Sequence, residues 1–303
     1  MKNLVITFAL FITLGVCKGS STNNFDQTVV AVNGLNLRES PSLRGKVIAS
    51  IPFLDKVKLV QEADTYEDTV GTVSFGGYND FTQQIIGEWV KVKYQKKEGY
   101  VFNAYLMSEY FEESAQGEDS QYALSFPGTN CYENVHRNKE IRWKGVFKNG
   151  NSYEIKEVKL EYYMSFDEMG QWYGVTTDSN DSLLFMLGAV EDKFPNGQIA
   201  GRYRDYGMEF DYSKRSSTVE NMTLHLLEDE AYLSISEGNQ QQKIESHGVV
   251  FILWKGDLDG DDKTDYIFTI GEKSSSTVLF LSSEAEEGQI VNPVASYFSG
   301  YCC

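Results

Sequence analysis

Residues 29–61 read VVAVNGLNLRESPSLRGKVIASIPFLDKVKLVQ, and their pattern sets the expected fold of the first part of the chain. Apolar and polar residues alternate in short runs, and β-branched residues are frequent. Asn33-Gly34 and Ser40-Pro41 interrupt the runs as turn dipeptides do. A period of two, broken every few residues, predicts short antiparallel strands closing into a small barrel. Leu35, Leu37, Val47, Ile51, Val57 and Leu59 would face its interior, joined from further along by Trp89, Val101 and Leu106.

Four segments then carry a family resemblance: LNLRESPS at 35–42, GKVIASIP at 45–52, VKLV at 57–60 and GEWVKVKYQKKEGYVFNAYL at 87–106. Together they resemble the bacterial SH3 domains, with the module placed at 29–108. That resemblance implies a barrel that docks on cell-wall peptide stems or on a protein partner in the envelope, without catalysis of its own. Arg38 would brace the opening loop or bind carboxylates. Tyr78, Trp89, Tyr94, Tyr100 and Tyr105 are candidates to line a ligand groove, against the alternative that such rings pack the core or its rim. One stretch departs from the compact family pattern: residues 61–86, QEADTYEDTVGTVSFGGYNDFTQQII, replace a shorter connection. It is either a functional loop or an extra hairpin shielding an edge.

After the module comes EYFEESAQGEDSQ at 109–121, acidic and without apolar periodicity, which reads as a linker. Residues 122–303 then alternate in stretches such as SYEIKEVKLEYYM, SLLFMLGAV, GVVFILW, DYIFTI and STVLFLS, separated by Gly, Asn, Asp and Ser. The expectation is a mainly all-β chain, with a larger antiparallel β-sandwich or curved-sheet domain after the barrel. Helices have only two candidate places, 213–229 and 292–298, and no βαβ alternation appears.

Within this second domain, WKGDLDGDDKTDYIF concentrates five carboxylates in nine residues, 257–265. Asp257, Asp259 and Asp261 alternate, Gly260 permits a tight turn, and Asp265 follows at the start of a strand. Such spacing wraps oxygens around one hard cation, with the Lys263 carbonyl as a further donor. The segment resembles the calcium loops of repeat-type extracellular domains. The EF-hand pattern does not apply, because with Asp257 first, Asp262 falls where the turn glycine belongs and Phe268 where the bidentate Glu belongs. A structural Ca²⁺ is therefore expected, the alternatives being a solvated acidic turn or magnesium chemistry.

Export is read from the N-terminus, where Lys2 precedes an apolar run at 4–16 and small polar residues follow. Residues 1–17 are read as a signal peptide and 18–28 as a flexible mature N-terminus. Cys17, after Leu14-Gly15-Val16, is a candidate lipid attachment site, the alternative being an ordinary secreted chain. The expected location is the periplasm or outer envelope. In an oxidising compartment Cys131, Cys302 and Cys303 are candidate disulfide partners.

The 303 residues carry 27 Lys and Arg against 44 Asp and Glu, a formal net charge of −17. That balance, with no basic patch evident along the chain, excludes nucleic acid and anionic lipid as ligands on electrostatic grounds. Membrane contact would come only through a lipid at Cys17. Cys131 and His136 lack the context of a peptidase nucleophile and base. The carboxylates of Asp167, Glu168 and Asp205 support a minor hydrolase reading. The leading reading is an exported envelope binding protein, more a binder than an enzyme. Its alternatives are a wall or polysaccharide hydrolase using carboxylates of the second domain, and a scaffold in an envelope complex.

Overall fold

The computed structural model describes residues 26–61, 67–75, 81–108, 120–130, 135–167, 170–180, 182–203, 216–226, 231–246, 250–270 and 274–300. Nearly all of them are strand or turn. The N-terminal module consists of β1 (Asp26–Val29), β2 (Leu35–Arg38), β3 (Val47–Ile51), β4 (Lys56–Gln61), β5 (Glu67–Phe75), β6 (Phe81–Tyr94) and β7 (Lys97–Phe102), then a 3-10 turn at Asn103–Tyr105 and β8 (Leu106–Ser108). The strands pair antiparallel in the order β3-β2-β7-β6-β4-β1-β8. Residues 26–28, expected within a flexible arm, instead belong to β1, which pairs with both β4 and β8.

Alternation explains the core of the module. Leu35, Leu37, Ile51, Val57, Val90, Val92 and Val101 are buried together, with Val29, Ala31 and Leu106 closing the ends. Two expected core residues lie elsewhere. Val47 is 44% exposed, because the register of β2 and β3 shifts between Leu37 and Arg38 and turns that end of β3 outward. Trp89 is on the outer side of β6, one residue out of phase with Val90 and Val92. The long insertion is a hairpin, in which β5 pairs with the first part of β6 from Glu67–Glu88 to Phe75–Phe81.

The rest of the chain contributes β9 (Tyr122–Ser125), β10 (Gly128–Asn130), β11 (Arg142–Asn149), β12 (Ser152–Glu157), β13 (Leu160–Asp167), β14 (Gly170–Thr177), β15 (Leu183–Ala189), β16 (Gly197–Ile199) and β17 (Gly201–Tyr203). These are followed by β18 (Ser216–Val219), β19 (Met222–Leu226), β20 (Ala231–Glu237), β21 (Gln240–Ser246), β22 (Val250–Gly256), β23 (Asp265–Ile270), β24 (Ser274–Leu281) and β25 (Asn292–Gly300). They form four antiparallel sheets: β10-β14-β13, β16-β12-β11-β15-β9, β17-β22-β23-β24-β25 and β18-β19-β20-β21. Both proposed helices are strands. The first place holds the β18–β19 hairpin, which turns at Glu220 with φ 50° and points Met222 and Leu224 into a core. The second is β25.

The two five-stranded sheets are buried on both sides. All seven residues of β15 are buried, which is why LLFMLGA reads as an unbroken apolar run rather than an alternating one. Phe185 and Leu187 meet Trp254, Ile267, Leu279 and Leu281 of the other five-stranded sheet in one core. Leu183 and Met186 meet Leu160, Tyr162, Tyr173 and Val175 of the three-stranded sheet in a second. Tyr266, Phe268 and Phe280 meet Leu224, Leu233 and Ile235 of the four-stranded sheet in a third.

The N-terminal module shares this packing. Val30 and Met107 enter the second core beside Tyr162 and Tyr173, and Phe53 stacks on Tyr162 with centroids 6.3 Å apart. Ile85, Phe102 and Ala104 enclose Tyr163, with Trp89 and Tyr105 at the margin. The module is thus seated on the β13 strand of the body. Among the described residues, no helix is long and apolar enough to cross a membrane.

Candidate metal centre and ligand-facing residues

The loop between β22 and β23 holds the acidic cluster. Leu258, fully buried, anchors it in the core between the five-stranded sheets, so the flanking Asp257 and Asp259 are presented on its other side. Gly256, Gly260 and Asp262 take positive φ values of 157°, 77° and 63°, and these fold the loop back on itself. Asp257 organises the turn: its Oδ1 accepts from the amides of Gly260 at 2.7 Å and Asp261 at 3.3 Å, and its Oδ2 from Asp262 at 3.0 Å.

Asp265 is buried at the mouth of β23. Its Oδ2 accepts from the Leu258 amide at 2.7 Å, and its Oδ1 from the Ser282 amide at 2.8 Å and hydroxyl at 2.9 Å. Burial pushes its pKa up to about 7, with the neighbouring Asp259 carboxylate adding to the rise and the bonds from Ser282 and Leu258 opposing it.

Asp259 is the anomaly. Its side chain is 1% exposed. The Oδ2 atom accepts from the Ser283 hydroxyl and lies 3.6 Å from Lys193 Nζ, while the buried Oδ1 atom has no hydrogen-bond partner. An unsatisfied buried carboxylate oxygen is costly unless something positive completes it. Oxygens of Asp257, Asp259 and Asp265 come within 4.8 Å of one another, a spacing from which one cation can be held.

Of the five expected ligands, three therefore converge. Asp261 does not join them: its carboxylate takes the Lys263 amide at 2.9 Å and the Ser282 hydroxyl at 3.1 Å. Lys263, expected as a carbonyl donor to the cation, gives its amide to Asp261 and is not part of the converging group. The surroundings were invisible to spacing arguments. Lys193 Nζ bonds Glu284 Oε1 at 3.0 Å, and Tyr122 donates to the same oxygen at 2.6 Å. These partners come from residues up to 162 positions apart, and only the Ser282-Ser283-Glu284 run after β24 hinted at them.

The ligand-groove candidates among the described residues are spread over different surroundings. Arg38 donates from Nη1 to Gly45 O at 2.8 Å and braces the 40–46 loop. Tyr94 donates to Asp55 Oδ2 at 2.7 Å, and that bond raises its pKa. Trp89 meets Phe102 edge-on at 5.7 Å beside Tyr163 of the body. Tyr105 is on the same margin, its pKa raised to about 12 by burial, with Glu161 adding. Only Tyr100, opposite Arg38, remains on the outer face with it. Tyr78, Cys17, Cys131, Cys302 and Cys303 lie outside the described residues, as do Glu168, Asp205 and the side chain of Asp167.

His136 is buried edge-on against Trp143, centroids 5.9 Å apart. Neither ring nitrogen has a hydrogen-bond partner of good geometry. Burial lowers its pKa, and the backbone at Tyr122 offsets part of that shift, so the ring is held neutral as a packing element. His225 stacks on Tyr232 at 4.5 Å.

No curated protein and no solved structure matches this chain. The residues that build most of the N-terminal sheet, 33–107, match the family described as the bacterial SH3 domain, and the N-terminal module is a bacterial SH3-like domain.

Proposed function

We propose that this protein is exported to the cell envelope and docks there on cell-wall peptide stems through its SH3-like domain, without catalysing a reaction on them. The observation that carries this reading is the match of residues 33–107 to the bacterial SH3 domain family. Such domains generally mediate peptidoglycan or protein binding. The seating of Trp89 and Tyr105 against the body covers one end of the domain's outer face and leaves the rest of that face for a ligand.

The test is co-sedimentation of the intact mature chain with purified sacculi, with the supernatant monitored for released muropeptides. Pelleting without release is the expected result. A chain that stays in the supernatant sinks the wall-docking reading and moves the partner to an envelope protein, and released fragments would make it a hydrolase. The intact chain is needed because removal of the module would strip Val30, Met107 and Phe53 from a core they share with the body.

The second part of the reading is a calcium ion held by Asp257, Asp259 and Asp265, with a structural role. Support comes from the unpartnered Asp259 Oδ1 and from the preference of hard cations for several carboxylate oxygens. Ca²⁺ at about a hundredfold its dissociation constant would stabilise the fold by about 2.7 kcal/mol. Melting in chelator against millimolar Ca²⁺ should show that gain, and Asp259→Asn should abolish it. Identical melting curves for the unmodified protein would exclude the ion.

A further inference from the structure

Strand pairing gathers cations that are scattered along the sequence. Residues 26–108, the module as folded, carry nine Lys and Arg and ten Asp and Glu, so nearly all of the excess negative charge lies outside the SH3-like domain. Across the sheet Asp26 on β1 is opposite Lys58 on β4, Lys58 is opposite Lys93 on β6, and Lys93 is opposite Glu98 on β7, so the lysine pair is flanked by a carboxylate at each end. In the next row Lys91 is opposite Tyr100, Tyr100 opposite Arg38, and Arg38 opposite Val47.

Val57, Leu59, Val90, Val92 and Val101 on these strands face the core, so the period of two turns both rows outward. Lys58, Lys93 and Val47 are exposed. Pairing thus brings together cations that lie apart in the linear sequence. Lys91 is paired with Glu98 at 3.6 Å. Lys58 and Lys93 have no carboxylate within ion-pair distance among the described residues.

Like charges directly opposite one another destabilise a sheet; Asp26 and Glu98 offset part of this from the two ends of the row, and an anion laid across the middle relieves the rest. The face ends at Trp89 and Phe102, the next register pair, where Tyr163 of the body takes over.

We propose that this outer face, Lys58, Lys93, Arg38, Tyr100 and Val47, is the docking surface for a peptide bearing free carboxylates, the lysines and the arginine receiving the carboxylates and Tyr100 and Val47 the apolar part of the peptide. It rests on the wall-docking reading and names the chemistry that reading requires. Charge complementarity selects the occupant: the rest of the chain repels polyanions, while the two rows together set Lys58, Lys91, Lys93 and Arg38 against Asp26 and Glu98, a local positive excess that steers encounter toward this face.

The experiment compares the intact chain, Lys58→Glu with Lys93→Glu, and a control carrying Lys139→Glu with Lys148→Glu, two exposed lysines of the body. Each is pelleted with native sacculi and with sacculi whose carboxylates have been converted to amides by carbodiimide coupling. Loss of binding by about tenfold or more is expected for the double variant on native sacculi. The control should bind as the unmodified chain does, and the unmodified chain should lose binding on amidated sacculi. Unchanged melting temperature establishes that the variants fold. Equal binding by the double variant would overturn the face and leave wall docking standing. Equal binding to amidated sacculi would overturn the carboxylate chemistry. No binding by the unmodified chain overturns both readings.

Discussion

Trp254→Ala is expected to cost about 3–5 kcal/mol, a fall in Tm of roughly 10 °C for a body of this size. Trp254 is fully buried where the two five-stranded sheets share their core. Its ring meets Tyr153 edge-on at 4.9 Å and Phe185 at 5.6 Å, and it covers Gly201 so closely that a Cβ there would fall inside the indole. Truncation thus removes a large apolar surface and opens a cavity that neighbours on paired strands cannot collapse to fill. Phe251 lies on the same strand and is 54% exposed, so Phe251→Ala should change stability by less than about 0.5 kcal/mol. Chemical denaturation of both variants checks the pair. A loss under 1 kcal/mol for Trp254→Ala would mean that the sheets do not share this core.

Asp265→Ala is expected to destabilise the protein by about 3 kcal/mol even in chelator, whereas Asp265→Asn should cost about 1 kcal/mol. The buried carboxylate accepts from the Leu258 amide, the Ser282 amide and the Ser282 hydroxyl. Alanine leaves those buried donors without acceptors, each an unfavourable desolvation of about 1–3 kcal/mol. Asparagine keeps one acceptor oxygen and the shape. Because the two backbone donors belong to the loop before β23 and the loop after β24, the effect on melting should exceed that of Asp257→Ala, whose bonds close only its own exposed turn. Denaturant unfolding of the three variants in chelator gives the ranking. Equal costs for Ala and Asn at Asp265 would show that its hydrogen bonds contribute nothing net.

The calcium ion proposed for the loop would change this ranking in a specific way. With Ca²⁺ present, Asp257→Ala, Asp259→Asn and Asp265→Asn should each lose the added stabilisation, whatever they cost in chelator. A structural Asp outside the triad, Asp261, should lose less, since its carboxylate is taken up by Ser282 and the Lys263 amide.

Much of this was legible because strand periodicity is local. The alternation of 35–37 and 57–59 places Leu35, Leu37, Val57 and Leu59 in one core without reference to distant residues, whereas on β6 the core positions are Val90 and Val92 in place of the expected Trp89. The run 183–187, expected among alternating strands, is instead buried on both faces, which its unbroken apolar sequence fits. The errors arose where a turn or a register shift broke that local rule. Val47 was turned out by an irregularity in β2–β3 pairing, and 216–226 became a hairpin because Glu220 accepts positive φ. Trp89 could not be placed by composition, since the outer side of β6 is apolar at that residue, where Tyr163 of the body covers it, and carries Lys91 and Lys93 beyond it.

By itself, then, the sequence determined the all-β class, the SH3-like opening and the position of the acidic loop, since each depends on residues within a few positions of one another. Tertiary structure alone decided which three aspartates converge, that Lys193, Ser282 and Ser283 surround them, and that Lys58 faces Lys93. These depend on strand register, which is set when buried faces from distant segments pack, because a slip of one residue would turn a strand's core face to solvent. The acidic loop shows the division most clearly. Its charge is written in nine consecutive residues, while the burial that leaves Asp259 Oδ1 unpartnered comes from segments far from it in the chain.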